Sequence, residues 1–201
     1  TPSMVSPREP REKFFPPFKE CIEAGALTVM VSSSSNDGVP FHTNKELLTG
    51  WLKEGLNWDG MIVSDWADAR FAFDRDYTTP SYKEAIRRVV DAGVDMIMEP
   101  NSVEVCDYLV ELVNEKQLPM SRIDDAVRRI LRLKFRLGLF DDPYGLAGNY
   151  EKFACPEYVN SAYRAAVEGE VLLKNENSIL PLSKDTRILL VGPNANSMRT
   201  L

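Results

Sequence analysis

No stretch of the 201 residues approaches the roughly 20 consecutive apolar side chains that a membrane-spanning helix needs, so no membrane partner is expected. Basic residues are also short: 24 Lys and Arg face 30 Asp and Glu. The net charge of −6 opposes nucleic-acid binding, whose affinity comes mostly from cations on phosphate. The three cysteines, Cys21, Cys106 and Cys155, lie far apart and in no metal-ligand spacing. They argue against a zinc site or a disulfide framework and read as buried or incidental thiols. Neither GxGxxG nor GxxxxGK[ST] occurs, which removes the main support for a nucleotide fold. The single histidine, His42, has no nucleophile elbow near it, so a Ser-His-Asp hydrolase is excluded. Neither a metal nor a cofactor is called for.

What is present is an ordinary soluble composition, 44% hydrophobic and 27% charged, in a chain long enough for one domain with a sizeable core. It opens at Thr1 without an initiator methionine and stops soon after RILLVGPNAN, which reads as a strand and turn beginning something new. The expectation is an interior piece of a longer polypeptide, with the remainder of that polypeptide as its partner.

Helical and extended patterns alternate. Arg8 to Ala24 has a helical pattern interrupted by Pro16-Pro17, which predicts a kink or two short helices. ALTVMVSS, from Ala26 to Ser33, predicts a buried strand, and Asn36-Asp37-Gly38 a turn. Asn44 caps a predicted helix through about Glu54. MIVS, from Met61, predicts a second strand, followed by a polar loop and a helix from Pro80 to Ala92. DMIME, Asp95 to Glu99, predicts a third strand, and two amphipathic helices follow: Val103 to Lys116, and Ile123 to Leu137 capped by Ser121 with Asp124 three along. The basic residues of the last helix, Arg128, Arg129, Arg132, Lys134 and Arg136, read as stems snorkelling from a packed helix.

Three short apolar strands, each followed by a helix, predict an α/β fold of parallel strands, either an open doubly wound sheet or part of a (β/α)8 barrel. In both, function gathers at the carboxyl ends of the strands. Those ends carry Ser32 to Ser35, then Asp65 and Trp66, then Glu99 and Asn101. An aspartate after a strand often only caps a loop. Beside an indole, the same carboxylate suits a sugar, whose C–H face packs on the ring while the carboxylate serves the anomeric carbon or a hydroxyl.

The run GVPFHTNKELLTGWLKEGLNWDGMIVSDW, Gly38 to Trp66, resembles a block of glycoside hydrolase family 3, in which an apolar strand ends in Ser-Asp-Trp. The likeness continues through AGVDMIMEP, SRIDDAVRRILRLKFRLGLFDDPY, VLLKNENSILPL and ILLVGPNANSMR. It implies the C-terminal part of a (β/α)8 TIM-like barrel leading into an α/β sandwich. On that reading residues 1–140 hold the last three β/α units and following helices, 141–183 a linker and connecting helix, and 184–201 the first strand and turn of the sandwich.

The resemblance implies a retaining, exo-acting β-glucosidase or β-glucanase acting on β-glucosides or β-linked gluco-oligosaccharides in the periplasm or outside the cell. Asp65 would be the nucleophile, which must be ionised and so needs hydrogen-bond donors or positive charge nearby. Trp66 would be the sugar platform, and Arg70, five residues on, a candidate donor to Asp65. Met30 and Met98 match positions near the family's glucose site, although a strand methionine also serves as core filler. Ser33 stands where many members place a tyrosine that supports the nucleophile, and Asp37 where Asn-Gly is common. His42 is expected to pack its loop. The general acid/base is expected from residues the chain does not contain, and Glu99 is not assigned to it. The alternative is a non-catalytic carbohydrate-binding chain, or a pseudoenzyme of the same fold.

Overall fold

In the computed structural model, which describes residues 2–144, 150–193 and 195–196, the chain divides into two units, Thr1–Tyr144 and Gly145–Leu201. In the first unit, β1 (Thr28–Met30) and β4 (Met61–Val63) pair in parallel, Val29 opposite Ile62. The segment at Met96 lies on the other side of β4, bridged in parallel to Val63. Three parallel extended segments with helices between them make the fold α/β, as expected. The third segment is bridged at one residue instead of forming the five-residue strand predicted, for a physical reason. At its start the Ile62 N–H bonds the Asp95 carboxylate at 2.9 Å, and beyond Met96 the Met98 N–H bonds the Ser64 hydroxyl at 2.8 Å, each in place of a backbone carbonyl.

That carboxylate is the junction of the unit. The Asp95 side chain is wholly enclosed and receives Lys53 at 2.7 Å and Arg122 at 2.8 Å. Lys53 comes from the helix Glu46–Glu54 and Arg122 from α5 (Met120–Arg136), so one anion ties a strand to two helices. Around it packs the core: Leu48, Leu52, Ile62, Val94 and Leu112, with Ile86 and Val89 from α3 (Tyr82–Ala92).

Several element boundaries differ from the sequence pattern. The prolines Pro16 and Pro17 sit in the first turn of α1 (Phe15–Glu23), where a missing N–H costs no intrahelical bond, after a separate π-turn over Pro10–Phe14. The Asn44 side chain accepts the Leu47 N–H at 3.0 Å as a cap should. The helix it opens is π-wound, and at its end the Gly55 N–H reaches the Gly50 carbonyl at 2.8 Å. A Cβ on Gly55 would lie 2.7 Å from the Trp51 carbonyl, so glycine permits that closure.

The residues Asp37 and Gly38, both at positive φ, turn the hairpin of β2 (Ser35–Asn36) and β3 (Val39–Pro40). α3 starts at Tyr82 rather than Pro80, with Ser81 as its cap accepting the Glu84 N–H. Ser121 is not a cap: α5 starts at Met120 after the extended Pro119. Nor do the α5 arginines simply snorkel. Arg129 donates to the carbonyls of Trp58 and Gly60, and Arg136 grips the Asp59 carboxylate at 2.7 Å, so the helix satisfies the turn before β4. Cys21 and Cys106 are exposed rather than buried.

In the second unit, α6 (Pro156–Gly169) buries no residue, and Leu172, Leu173 and Ile188 to Val191 are exposed. The strand expected from residue 184 forms no ladder among the described residues, because extended backbone needs a neighbour for its N–H and C=O groups. The turn expected after it falls partly on residues 194 and 197–201, outside the described residues. No described helix is long and apolar enough to cross a membrane.

Removing the junction should be severe. Asp95→Ala leaves Lys53 and the Ile62 N–H without their acceptor, takes one carboxylate from Arg122, and should cost about 3–5 kcal/mol in urea unfolding. Gly60→Ala puts a Cβ into the Trp58 indole and 2.6 Å from the Leu27 carbonyl, a clash expected to cost about 2 kcal/mol in the same measurement. Burial lowers the Lys53 ammonium from 10.5 to about 8, against the pull of Asp95. Between those values the unfolded chain keeps a proton that the folded chain releases. This group's penalty is therefore full below pH 8 and relieved as pH rises towards 10.5. Measured against a Lys53→Met variant at pH 7.5 and 10, the parent should gain stability at the higher pH.

Candidate active site

Beyond β4 the backbone is strapped to the neighbouring segment. Ser64 is fully buried; its N–H donates to the Met96 carbonyl at 2.9 Å, and its hydroxyl accepts the Met98 N–H at 2.8 Å while donating to the Asp65 carbonyl at 2.8 Å. The Ala67 N–H closes the strap on the Met98 carbonyl at 2.9 Å. Ala67 itself is left-handed, φ 58°, which turns the chain back so that the Asp65 carboxylate receives the Trp66 N–H at 2.6 Å. One carboxylate oxygen is therefore fixed by the backbone that follows it. Asp65 is half-buried and the Trp66 indole stands 61% exposed beside it.

Beneath the strap lies a polar cluster. His42, buried in the short 3-10 turn Phe41–Thr43, accepts the Asp65 N–H on Nε2 at 3.3 Å. Its Nδ1 faces the Asp68 carboxylate at 3.8 Å, and both side chains are nearly closed to solvent. Burial lowers His42 to about 4 and outweighs the opposing pull of Asp65, so the ring is neutral at neutral pH. Burial also raises Asp68, opposed by its hydrogen bond with Ser33, and its Oδ2 has no hydrogen-bond partner. Arg75 donates to the Ser33 hydroxyl at 3.2 Å and carbonyl at 3.1 Å, and pairs with Asp76 at 2.8 Å.

The structure thus brings Asp65, Trp66 and Met98 into one strap, with Ser33 in the cluster below. Of the other two residues singled out in the sequence, Met30 pairs with Val63, two residues before Asp65, and Arg70 ends the 3-10 turn Asp68–Arg70 after it. Met30 lines an apolar cavity of about 600 Å³ with Phe14, Phe18, Phe41 and Trp51, and Asp65 is not part of that lining. Arg70 stacks over Tyr82 at 4.3 Å from the ring centre and reaches Glu104 at 3.4 Å, rather than donating to Asp65. Glu99 accepts the Tyr82 hydroxyl at 2.9 Å. Among the described residues no group of three His, Cys, Asp or Glu side chains is placed to hold a metal ion.

Sequence reasoning missed Ser64, Asp68 and Arg75 and gave His42 only a packing role. Asp68 had a local signal, a second acid three residues after Asp65. Ser64 adjoins Asp65, but the Met96 and Met98 groups it binds come from the next segment, and His42, 23 residues before Asp65, meets it only through the fold.

Residues 2–133, which include all of the strap and cluster, match the glycosyl hydrolase family 3 N terminal domain. A lysosomal beta glucosidase of Dictyostelium discoideum is 39% identical over 100% of the chain and 25% of its own length. A putative beta-xylosidase of Formosa agariphila is 38% identical over 94% of the chain and 25% of its own. Among solved structures, a beta-glucosidase from Listeria innocua in complex with glucose superposes with a TM-score of 0.73 at 34% identity, covering 91% of this chain and 25% of that one. The chain therefore spans about a quarter of the length of these relatives. With that match laid over two thirds of its residues and over the whole strap, the chain belongs to glycosyl hydrolase family 3.

Proposed function

We propose that this chain carries the nucleophile half of a retaining, exo-acting β-glucosidase or β-glucanase. The observation that carries the reading is the Asp65 carboxylate, held by the Trp66 N–H at the carboxyl end of a buried parallel strand beside an exposed indole. The names borne by relatives as β-glucosidases and a β-xylosidase support a pyranoside with an equatorial leaving group.

In this mechanism an Asp65 oxygen forms a bond to the anomeric carbon as the bond to the leaving oxygen breaks, and a partner acid gives that oxygen its proton. Water, deprotonated by the same partner, then attacks the anomeric carbon and returns Asp65 as a carboxylate. The hydrogen bond from Trp66 leaves the second carboxylate oxygen for attack, and the indole face packs on the sugar C–H groups. The partner carboxyl must sit about 5 to 5.5 Å from the nucleophile. Asp68 is closed to solvent and Glu99 is engaged with Tyr82, so neither is assigned that task. We place the acid in a part of the polypeptide that these 201 residues do not cover.

The same reading makes residues 1–140 the closing units of a barrel, 141–183 a connection and 184–201 the opening of a second domain. It also places the protein in the periplasm or outside the cell, where its glycosides are met.

Treating the complete protein with a 2-deoxy-2-fluoro glucoside should label the peptide MIVSDW at Asp65. Asp65→Asn should lower kcat by at least about 1000-fold. Full activity in a clean Asp65→Asn preparation, or a label on a different residue, would sink the assignment.

A further inference from the structure

We propose that His42 is a positioning residue for the nucleophile: its unprotonated Nε2 holds the Asp65 backbone N–H, and Asp68 facing Nδ1 keeps the imidazole in the tautomer that can do so. The inference rests on the reading of Asp65 as the attacking group.

The Asp65 N–H needs an acceptor. Its strand neighbours are occupied differently: the Met96 carbonyl takes the Ser64 N–H and the Met98 carbonyl takes the Ala67 N–H. Between those two ladder bonds the Asp65 amide turns the other way, into the cluster, where Nε2 of His42 meets it at 3.3 Å. An imidazole accepts on Nε2 only when that nitrogen carries no proton, so a neutral ring must carry its proton on Nδ1. Nδ1 points at the Asp68 Oδ2, 3.8 Å away, an oxygen enclosed by protein and otherwise without a hydrogen-bond partner. Reversing the tautomer would set Nε2–H against the Asp65 N–H and a bare Nδ1 against a carboxylate, two repulsions at once.

Burial acts in the same direction, holding the ring neutral through the ordinary working range. The charged groups that bear on the ring are Asp65, Arg75 and Asp76, with Asp68 in contact. The fixed amide matters because Trp66 grips the carboxylate from the next residue. With the Asp65 N–H held from one side and the Trp66 N–H holding Oδ1 from the other, the Asp65 side chain has one pose. Loss of the His42 bond frees the peptide plane on which that pose depends, and the effect should fall on kcat rather than on KM.

Two variants of nearly equal shape separate positioning from packing. His42→Gln keeps a carbonyl acceptor, and His42→Met keeps the bulk without it. In the complete protein, His42→Gln should react with the fluoro glucoside within about 5-fold of the parent. His42→Met should be slowed about 10 to 100-fold in labelling and kcat, with KM within about 2-fold. Equal rates for the two variants would overturn the proposal.

An independent test needs no folded variant with an altered cluster: nitrogen-15 spectra of the parent should show His42 protonated on Nδ1 and bare on Nε2. The opposite tautomer would overturn the proposal even if His42→Met fails to fold. If the parent itself is not labelled at Asp65, the nucleophile reading fails instead, and the tautomer measurement still decides whether the amide is held as described.

Discussion

A single buried anion sets the geometry on which everything else in the first unit depends. Asp95 substitutes its carboxylate for a backbone carbonyl in bonding Ile62, and the same group collects Lys53 and Arg122. Enclosing these charges is not in itself a source of stability, since desolvation offsets most of the attraction, as the lowered Lys53 shows. Its effect is on uniqueness. A neutral filler could occupy the space in several registers, whereas a carboxylate with three directed donors accepts only one placement of strand and helices. The junction lies at the entry end of the third segment, while the strap around Asp65 lies at the exit end of β4. Structural and chemical demands are thus kept at opposite ends of the same short strands, the division expected of parallel strand–helix units.

The parallel order of the extended segments was legible in the sequence because short apolar runs separated by helical patterns leave few other arrangements. The extent of the third strand was not, because its pairing is replaced by side chains at both ends, Asp95 at its start and Ser64 opposite Met98, and no periodicity reports what those side chains will bond. The start of α5 misled for a related reason. Ser121 and Asp124 match a capping pattern, yet Pro119 already sets an extended entry and the helix begins one residue sooner. The arginines of α5 look like a solvated face when read alone. Only the fold brings the carbonyls of the turn before β4 under them.

At the site, Asp65 and Trp66 were readable since both sit at a strand's end in one tripeptide with Ser64. What holds them was not. His42, which accepts from Asp65, and Met98, which donates to Ser64, come from segments 23 and 34 residues away, and neither residue type announces a partner at that range. Proximity in sequence was a poor guide for Arg70: five residues of loop carried it onto Tyr82 and Glu104. The methionines separate in the same way, Met98 joining the strap through its backbone and Met30 facing an apolar hollow. Tertiary bonding, which pattern reading does not see, decides each of these cases.

The left-handed turn at Ala67 has a thermodynamic side that contacts alone do not express. A glycine would adopt that backbone without strain, but it would also give the unfolded chain many more conformations to surrender on folding. Alanine accepts a local penalty and in return narrows the excursions open to the loop when it loosens. The aim of the carboxylate is thereby written partly into the disordered ensemble, through the shapes this segment is denied before any sugar arrives.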